Sequence, residues 1–158
     1  MTLVRASIEI DAPPERVYDF MLDPARLGDW VTIHRRVNSR DDGPPRTGFE
    51  MSQTLHLRGA NFKVHWTLTE ADRPDHATWE GRGPAHSYAR TSYSLRAVDG
   101  GRTRFDYENE FKAPGGFLGA AASRMLIGGL PEREARRTLE RLKDLLENGS
   151  KRKEPSGR

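Results

Sequence analysis

The sequence predicts an α+β fold, a seven-stranded curved antiparallel sheet around a long C-terminal helix with two short helices after the first strand. Three observations carry this prediction. Apolar and polar residues alternate from Val4 to Ile10, and the alternation returns in later segments up to Phe111. Pro13-Pro14 and Asp23-Pro24 each open a short helical pattern directly after the first strand. From Phe117 to Glu147 the pattern is helical and strongly amphipathic towards its end.

The elements follow in order. Val4, Ala6, Ile8 and Ile10 share one face of the first strand, with Arg5, Ser7 and Glu9 opposite. Val17, Phe20 and Met21 fall at helical spacing behind Pro13-Pro14, which suits a first helical turn. Asp23 can cap the next helix, Pro24 fits its first position, and Leu27 and Trp30 form its apolar side. Thr32 to Arg40 is a weakly patterned second strand, ended by the turn cluster Asp41-Asp42-Gly43-Pro44-Pro45. Phe49, Met51, Gln53, Leu55 and Leu57 share one face of the third strand, with His56 and Arg58 on the other. Beyond the turn at Gly59-Ala60-Asn61, Phe62, Val64, Trp66 and Leu68 alternate with polar residues, a hairpin partner. After Asp72-Arg73-Pro74-Asp75, the fifth strand points Ala77, Trp79 and Gly81 one way. Ala89, Thr91, Tyr93, Leu95 and Ala97 line up in the sixth. Asp99-Gly100-Gly101 turns into the seventh, where Phe105, Tyr107, Asn109 and Phe111 alternate with charged residues. Short links between the second and seventh strands require antiparallel pairing. Pro114-Gly115-Gly116 ends the sheet, and Gly128-Gly129-Leu130-Pro131 predicts a kink in the helix that follows. Ala135, Leu139, Leu142 and Leu146 form its buried stripe, with Arg133, Arg137, Glu140 and Lys143 on the wet face.

Composition narrows the function classes. The chain of 158 residues suits one domain, residues 1–147, followed by a disordered basic tail, residues 148–158. That tail carries four basic residues and one acidic, and the remaining chain balances 22 basic against 22 acidic. A neutral body lacks the excess positive charge of a nucleic-acid binder, so no nucleic-acid partner is expected. No apolar run approaches the roughly 18 residues of a membrane span, so no stable membrane insertion is expected. The N-terminal stretch MTLVRAS lacks the apolar stretch of a signal peptide, and the chain has no Cys, which together favour the cytoplasm. There is no His/Cys/carboxylate spacing for a metal, no Gly-x-Ser-x-Gly elbow and no dinucleotide loop, so neither metal nor cofactor is expected. A monomer and a homodimer are equally compatible with this surface.

The segments IEIDAPPERVYDFMLDPARLGDW, WTLTEADRPDHATWEGRGP, TSYSL, RTRFDYENEF and LERLKDLLE, taken together, resemble the START/Bet v 1-like (SRPBCC) superfamily, in particular its bacterial polyketide cyclase/dehydrase-like branch. The resemblance covers nearly all of residues 3–147. It implies a helix-grip fold, in which the sheet closes around the C-terminal helix and leaves an elongated cavity. Members bind lipids, sterols, polyketides or similar small hydrophobic molecules, and some catalyse cyclisation or dehydration.

The strand faces then nominate a cavity lining: Met51, Gln53, Leu55, Trp66, Trp79, Tyr93, Tyr107 and Asn109 from the sheet, with Phe117, Leu118, Ala121 and Met125 from the helical side. Gln53, Asn109, Tyr93 and Tyr107 stand out because they are polar on an apolar face. Such groups need partners, which are either each other, water or a ligand oxygen. Trp30 is expected to plug the end of the cavity beside the short helices. His56 and His65 fall on polar faces and His76 in a turn, whereas His34 and His86 can reach a cavity mouth. Phe117 with Pro114-Gly115-Gly116, the Gly81-Arg82-Gly83-Pro84 stretch and Arg58-Gly59-Ala60 are candidate gates. These residues support a non-catalytic carrier of a small hydrophobic ligand, a lipid or polyketide-like aromatic. The alternatives are a cyclase or dehydratase using His34, His86 or Tyr107, and an interaction module with a vestigial cavity.

Overall fold

A computed structural model describes residues 2–57, 59–112 and 130–153 of the chain. The strands are β1 (Thr2–Ile10), β2 (His34–Arg40), β3 (Glu50–Leu57), β4 (Ala60–Asp72), β5 (His76–Arg82), β6 (Tyr88–Val98) and β7 (Arg102–Lys112). They form one antiparallel sheet in the order β1-β7-β6-β5-β4-β3-β2, so β1 and β2 are its edges. Two short helices, α1 (Pro14–Leu22) and α2 (Leu27–Trp30), connect those edges, and a C-terminal helix spans Leu130–Lys153. This is the predicted helix-grip architecture.

The register keeps one face apolar across the whole sheet. Ala6 pairs with Tyr107 and Ile8 with Phe105; Tyr107 pairs in turn with Tyr93, and Phe105 with Leu95. On the other side Trp79 pairs with Leu68, and Trp66 with Met51. A slip of one residue would turn this entire face to solvent, so burial holds the register.

The helical connection is encoded locally. Pro14 begins α1, where a missing N–H costs nothing because first-turn donors have no intrahelical partner. Val17, Tyr18, Met21 and Leu22 are its buried residues. Phe20, expected in that set, is only half-buried and carries the Arg26 guanidinium over its ring at 5.6 Å. The carboxylate of Asp23 accepts from the Ala25 N–H at 3.0 Å, opening a 3-10 turn over Pro24–Arg26 that leads into α2.

The C-terminal helix buries Ala135, Leu139, Leu142 and Leu146 against the concave face. It packs on β1 and α2, which places it between the two free edges of the sheet. Polar clamps hold it there. Lys143 Nζ donates to the Glu9 carbonyl on edge strand β1 at 2.8 Å, and the Asp11 N–H donates to Glu147 at 2.9 Å. The Thr32 N–H donates to Thr138 Oγ1 at 3.3 Å, and the Thr32 hydroxyl bonds the Glu134 carboxylate. The edge carbonyl of Glu9 is thereby satisfied within the fold instead of being offered to another chain. The expected kink at Gly128-Gly129 falls outside the described residues.

Candidate functional site

The inward face of the sheet has two halves. Near α1 and the C-terminal helix, Ile10, Phe49, Leu68 and Phe105 have no exposed surface. Towards the opposite end, Ala6, Leu55, Val64, Ala89, Tyr107 and Asn109 face the same way yet are only half-buried, while Val4 and Thr91 on either side of Asn109 are buried. The predicted lining residues divide between the halves. Met51, Trp79 and Tyr93 are buried in packed surroundings, with Trp79 edge-on to Phe49 at 6.2 Å. Leu55, Tyr107 and Asn109 belong to the open half, and Gln53 and Trp66 stand at the junction. Phe117, Leu118, Ala121 and Met125 lie outside the described residues.

An aromatic group joins the halves. The Tyr93 ring lies 5.5 Å from Phe105, 5.9 Å from Tyr107 and 6.4 Å from Trp30. Desolvation pushes the Tyr93 phenol well above the ordinary tyrosine value, with a smaller contribution from Tyr107. Burial does the same to Tyr107, while a hydrogen bond from the Asn109 amide pulls partly back. Tyr107 is half-buried, on the inner face of β7 two residues beyond Phe105. Asn109 is engaged through its Oδ1, which accepts from the Thr91 hydroxyl at 3.0 Å. Trp30, the expected plug, is 1% exposed, and its buried indole N–H has no acceptor among the described residues. An unpaired buried donor of this kind costs about 1–3 kcal/mol.

Gln53 is the centre of a relay across three strands. Trp66 Nε1 on β4 donates to Gln53 Oε1 on β3 at 2.8 Å, and Gln53 Nε2 lies 2.7 Å from His34 Nδ1 on β2. The buried amide predicted from the sequence is therefore satisfied by its neighbours. Gly81 makes room for the relay. A Cβ at Gly81 would sit 2.6 Å from Trp66 Cε3 and Cζ3 and 2.9 Å from Val64 Cγ1. Without that side chain, the Trp66 indole lies against β5. Gly81, a candidate gate residue by sequence, serves this close approach in the fold.

His34 is on the inner face because β2 is irregular. Its register against β3 shifts between His34 and Arg36 and again between Val37 and Ser39. Bulges of this kind re-aim side chains, so His34 opposes Leu55 and Val37 opposes Gln53 while Arg36 opposes Thr54 on the outer face. Burial pulls the His34 pKa down from 6.5, which keeps the ring neutral at neutral pH. His86, the other histidine candidate, is exposed on the β5–β6 loop at a φ of 61°. His56 pairs with Asn61 and His65 with Glu50 on exposed surface, and His76 bonds Thr78 and Glu70.

The rim of the open half collects two of the candidate gates. Leu57 pairs with Ala60 of the Arg58-Gly59-Ala60 candidate, whose Arg58 lies outside the described residues, and the β5–β6 loop follows the Arg82–Tyr88 pair, which is next to Lys112. The third candidate, Pro114-Gly115-Gly116 with Phe117, lies outside the described residues. Among the described residues no three His, Cys, Asp or Glu side chains come together to hold a metal, and no helix is long and apolar enough to cross a membrane.

Comparison with known proteins agrees with this architecture. The family described as polyketide cyclase / dehydrase and lipid transport matches residues 1–147. The chain is similar to uncharacterized protein Rv1546 of Mycobacterium tuberculosis, 25% identical over 129 residues that cover 81% of this chain and 90% of that protein. Its fold is similar to that of TTHA0849 from Thermus thermophilus, with a TM-score of 0.71, 18% identity and coverage of 94% and 99% of the two chains. It is also similar to DynU16, of the dynemicin biosynthetic locus, with a TM-score of 0.61, 16% identity and coverage of 93% of this chain and 48% of that one.

Proposed function

Because the chain belongs to the polyketide cyclase / dehydrase and lipid transport family, we propose that it binds a small hydrophobic ligand between sheet and C-terminal helix, as a carrier and not as a catalyst. The observation that carries this reading is the open half of the inner face. Leu55, Val64, Ala89 and Tyr107 face inward but are not consumed by the core. Pockets of this type are mostly apolar with a few convergent polar groups, and here those groups are Asn109 and Tyr107. The site bears its ligand inside the protein, and a lipid or polyketide-like aromatic matches its apolar walls.

The carrier reading is favoured over the enzyme reading by the state of the titratable groups. A proton-transfer group works best with a pKa near the operating pH. Tyr93 and Tyr107 are pushed away from that range by burial. His34 Nδ1, the nitrogen free to act as a base in a neutral ring of this tautomer, is occupied by Gln53. His86 is exposed at the loop, away from the inner face.

Native mass spectrometry of the purified protein, compared with the denatured chain, tests the proposal. A mass excess lost on denaturation is expected, and its formula names the ligand class. A clean apo mass, together with no thermal shift across a library of lipids and aromatic polyketides, would overturn it. Conversion of a bound aromatic polyketide into a cyclised or dehydrated product would instead establish an enzyme.

A further inference from the structure

We infer that His34 presents its Nε2–H as the donor that receives a carbonyl-type oxygen of the ligand, at the seam where α2 meets β2 and β3. This inference rests on the internal-cavity reading above and deepens it by assigning the ligand a hydrogen-bond acceptor.

The argument begins at Trp66. An indole nitrogen can only donate, so the Gln53 atom facing it must be the carbonyl oxygen. The Gln53 amide nitrogen is then the atom facing His34, and it can only donate. Nδ1 of His34 must therefore accept, and the proton of the neutral ring resides on Nε2. Three side chains on three strands thus set one tautomer. Lowered basicity from burial keeps that tautomer populated at neutral pH.

The far edge of the ring carries the donor Nε2–H. No described residue accepts from Nε2. That edge faces Gly28 of α2, where a Cβ would lie 3.5 Å from His34 Cδ2 and 4.0 Å from Nε2. The absence of a side chain at Gly28 leaves the approach to Nε2 free. The other end of the relay does not need a histidine: Gln53 and Trp66 would be equally satisfied by any fixed acceptor. What histidine adds is a second polar atom, pointing away from the relay with its hydrogen in place. A neutral donor suits an uncharged oxygen acceptor, such as an aryl ketone or the carbonyl of an acyl chain.

Matched ligand pairs test this. One pair is 2-acetylnaphthalene against 2-ethylnaphthalene; the other is undecan-2-one against undecane, delivered from cyclodextrin. Affinities are read by titration calorimetry on the full chain. The wild-type protein is expected to favour the ketone of the pair it accepts by about tenfold, the worth of one net hydrogen bond. His34→Asn offers Gln53 an acceptor near the Nδ1 position and removes the far donor, so the ketone preference falls to about onefold. His34→Gln can place an amide N–H near the Nε2 position and retains part of the preference. Gly28→Val leaves every relay atom unchanged, crowds the approach to Nε2 and reduces the preference without a histidine substitution. An unchanged ketone preference in both His34→Asn and Gly28→Val overturns the inference, as does a wild-type protein that binds both members of a pair equally. In those outcomes hydrocarbon binding persists, so the cavity reading survives. Failure of the wild-type protein to bind any of the four probes overturns this inference, and a clean apo mass in the native mass spectrum beside it overturns the cavity reading as well. The pair that binds distinguishes an aromatic from an acyl source of the oxygen.

Discussion

Phe105 and Tyr107 sit two residues apart on β7, on the same face of the same strand, yet only one of them is core. Phe105 has no exposed surface, whereas Tyr107 is half-buried. The same split recurs on β3 and β4, where Phe49 and Leu68 are closed and Leu55 and Val64 are not. The difference follows from what stands opposite each position. The closed half faces α1, Trp30 and the buried stripe of the C-terminal helix, which fill the concavity. Leu55, Val64 and Tyr107 lie further along the same strands and keep exposed surface. A strand's pleat decides which side a residue faces, but the elements across from it decide whether that residue packs or lines a space.

The strongest way to break this comparison is to truncate the closed half. Phe105→Ala is expected to cost about 3–5 kcal/mol, measured by urea unfolding, because a rigid and fully packed site cannot collapse into the void. A loss below about 1 kcal/mol would mean that the closed half is as loosely filled as the open one.

Gly81→Ala is next. The added Cβ would meet Trp66 at 2.6 Å, so the indole or β5 must move. Overpacking of this kind costs about 1–3 kcal/mol, and displacement of Trp66 should also change the tryptophan emission. Unchanged stability and emission would show that the Trp66 ring shifts freely and that the relay is not held in place.

Gln53→Leu removes the centre of the relay and leaves the Trp66 indole N–H without its acceptor. The expected loss is about 1–3 kcal/mol, and Gln53→Glu, which restores an acceptor for Trp66, should recover only part because it cannot donate to His34 as a carboxylate. Equal stability of the leucine variant and the wild type would indicate that water replaces the amide.

The next effect is in pH dependence. His34 has a folded pKa below its unfolded value of 6.5, so between the two values the unfolded chain binds more protons. Stability should therefore rise with pH through that window, level off above 6.5, and fall on acidification as the ring protonates and loses the Gln53 bond. Urea midpoints from pH 5 to 8 measure this, and His34→Asn should flatten this contribution. A wild-type slope identical to that of the variant would show that His34 does not titrate in the window.

Tyr107→Phe sharpens the comparison at its small end. Removing the hydroxyl takes the acceptor from the Asn109 amide but little packing, so stability should fall by about 0.5–1.5 kcal/mol. A cost approaching that of Phe105→Ala would place Tyr107 in the core.

Much of this molecule was legible in its sequence. Period-2 alternation identified the inner residues of β1 and of β3 to β7, and 3.6 spacing identified Ala135, Leu139, Leu142 and Leu146, because both periods are properties of the local backbone. Pro14 and Asp23 marked the two helix starts through first-turn chemistry that depends only on neighbouring residues. The polar residues on the apolar face, Gln53 and Asn109, were visible as anomalies, but their partners were not. Trp66, Gln53 and His34 meet only through strand pairing. The inward position of His34 depends on two register shifts that break the pattern a sequence reader needs. Gly81 read as a flexible gate because its actual constraint, an indole on the adjacent strand, is invisible in one dimension. The division of one continuous apolar face into a packed half and a lined half was likewise decided by tertiary structure. Local sequence sets the direction of a side chain, and only the distance to the next layer sets what that side chain meets.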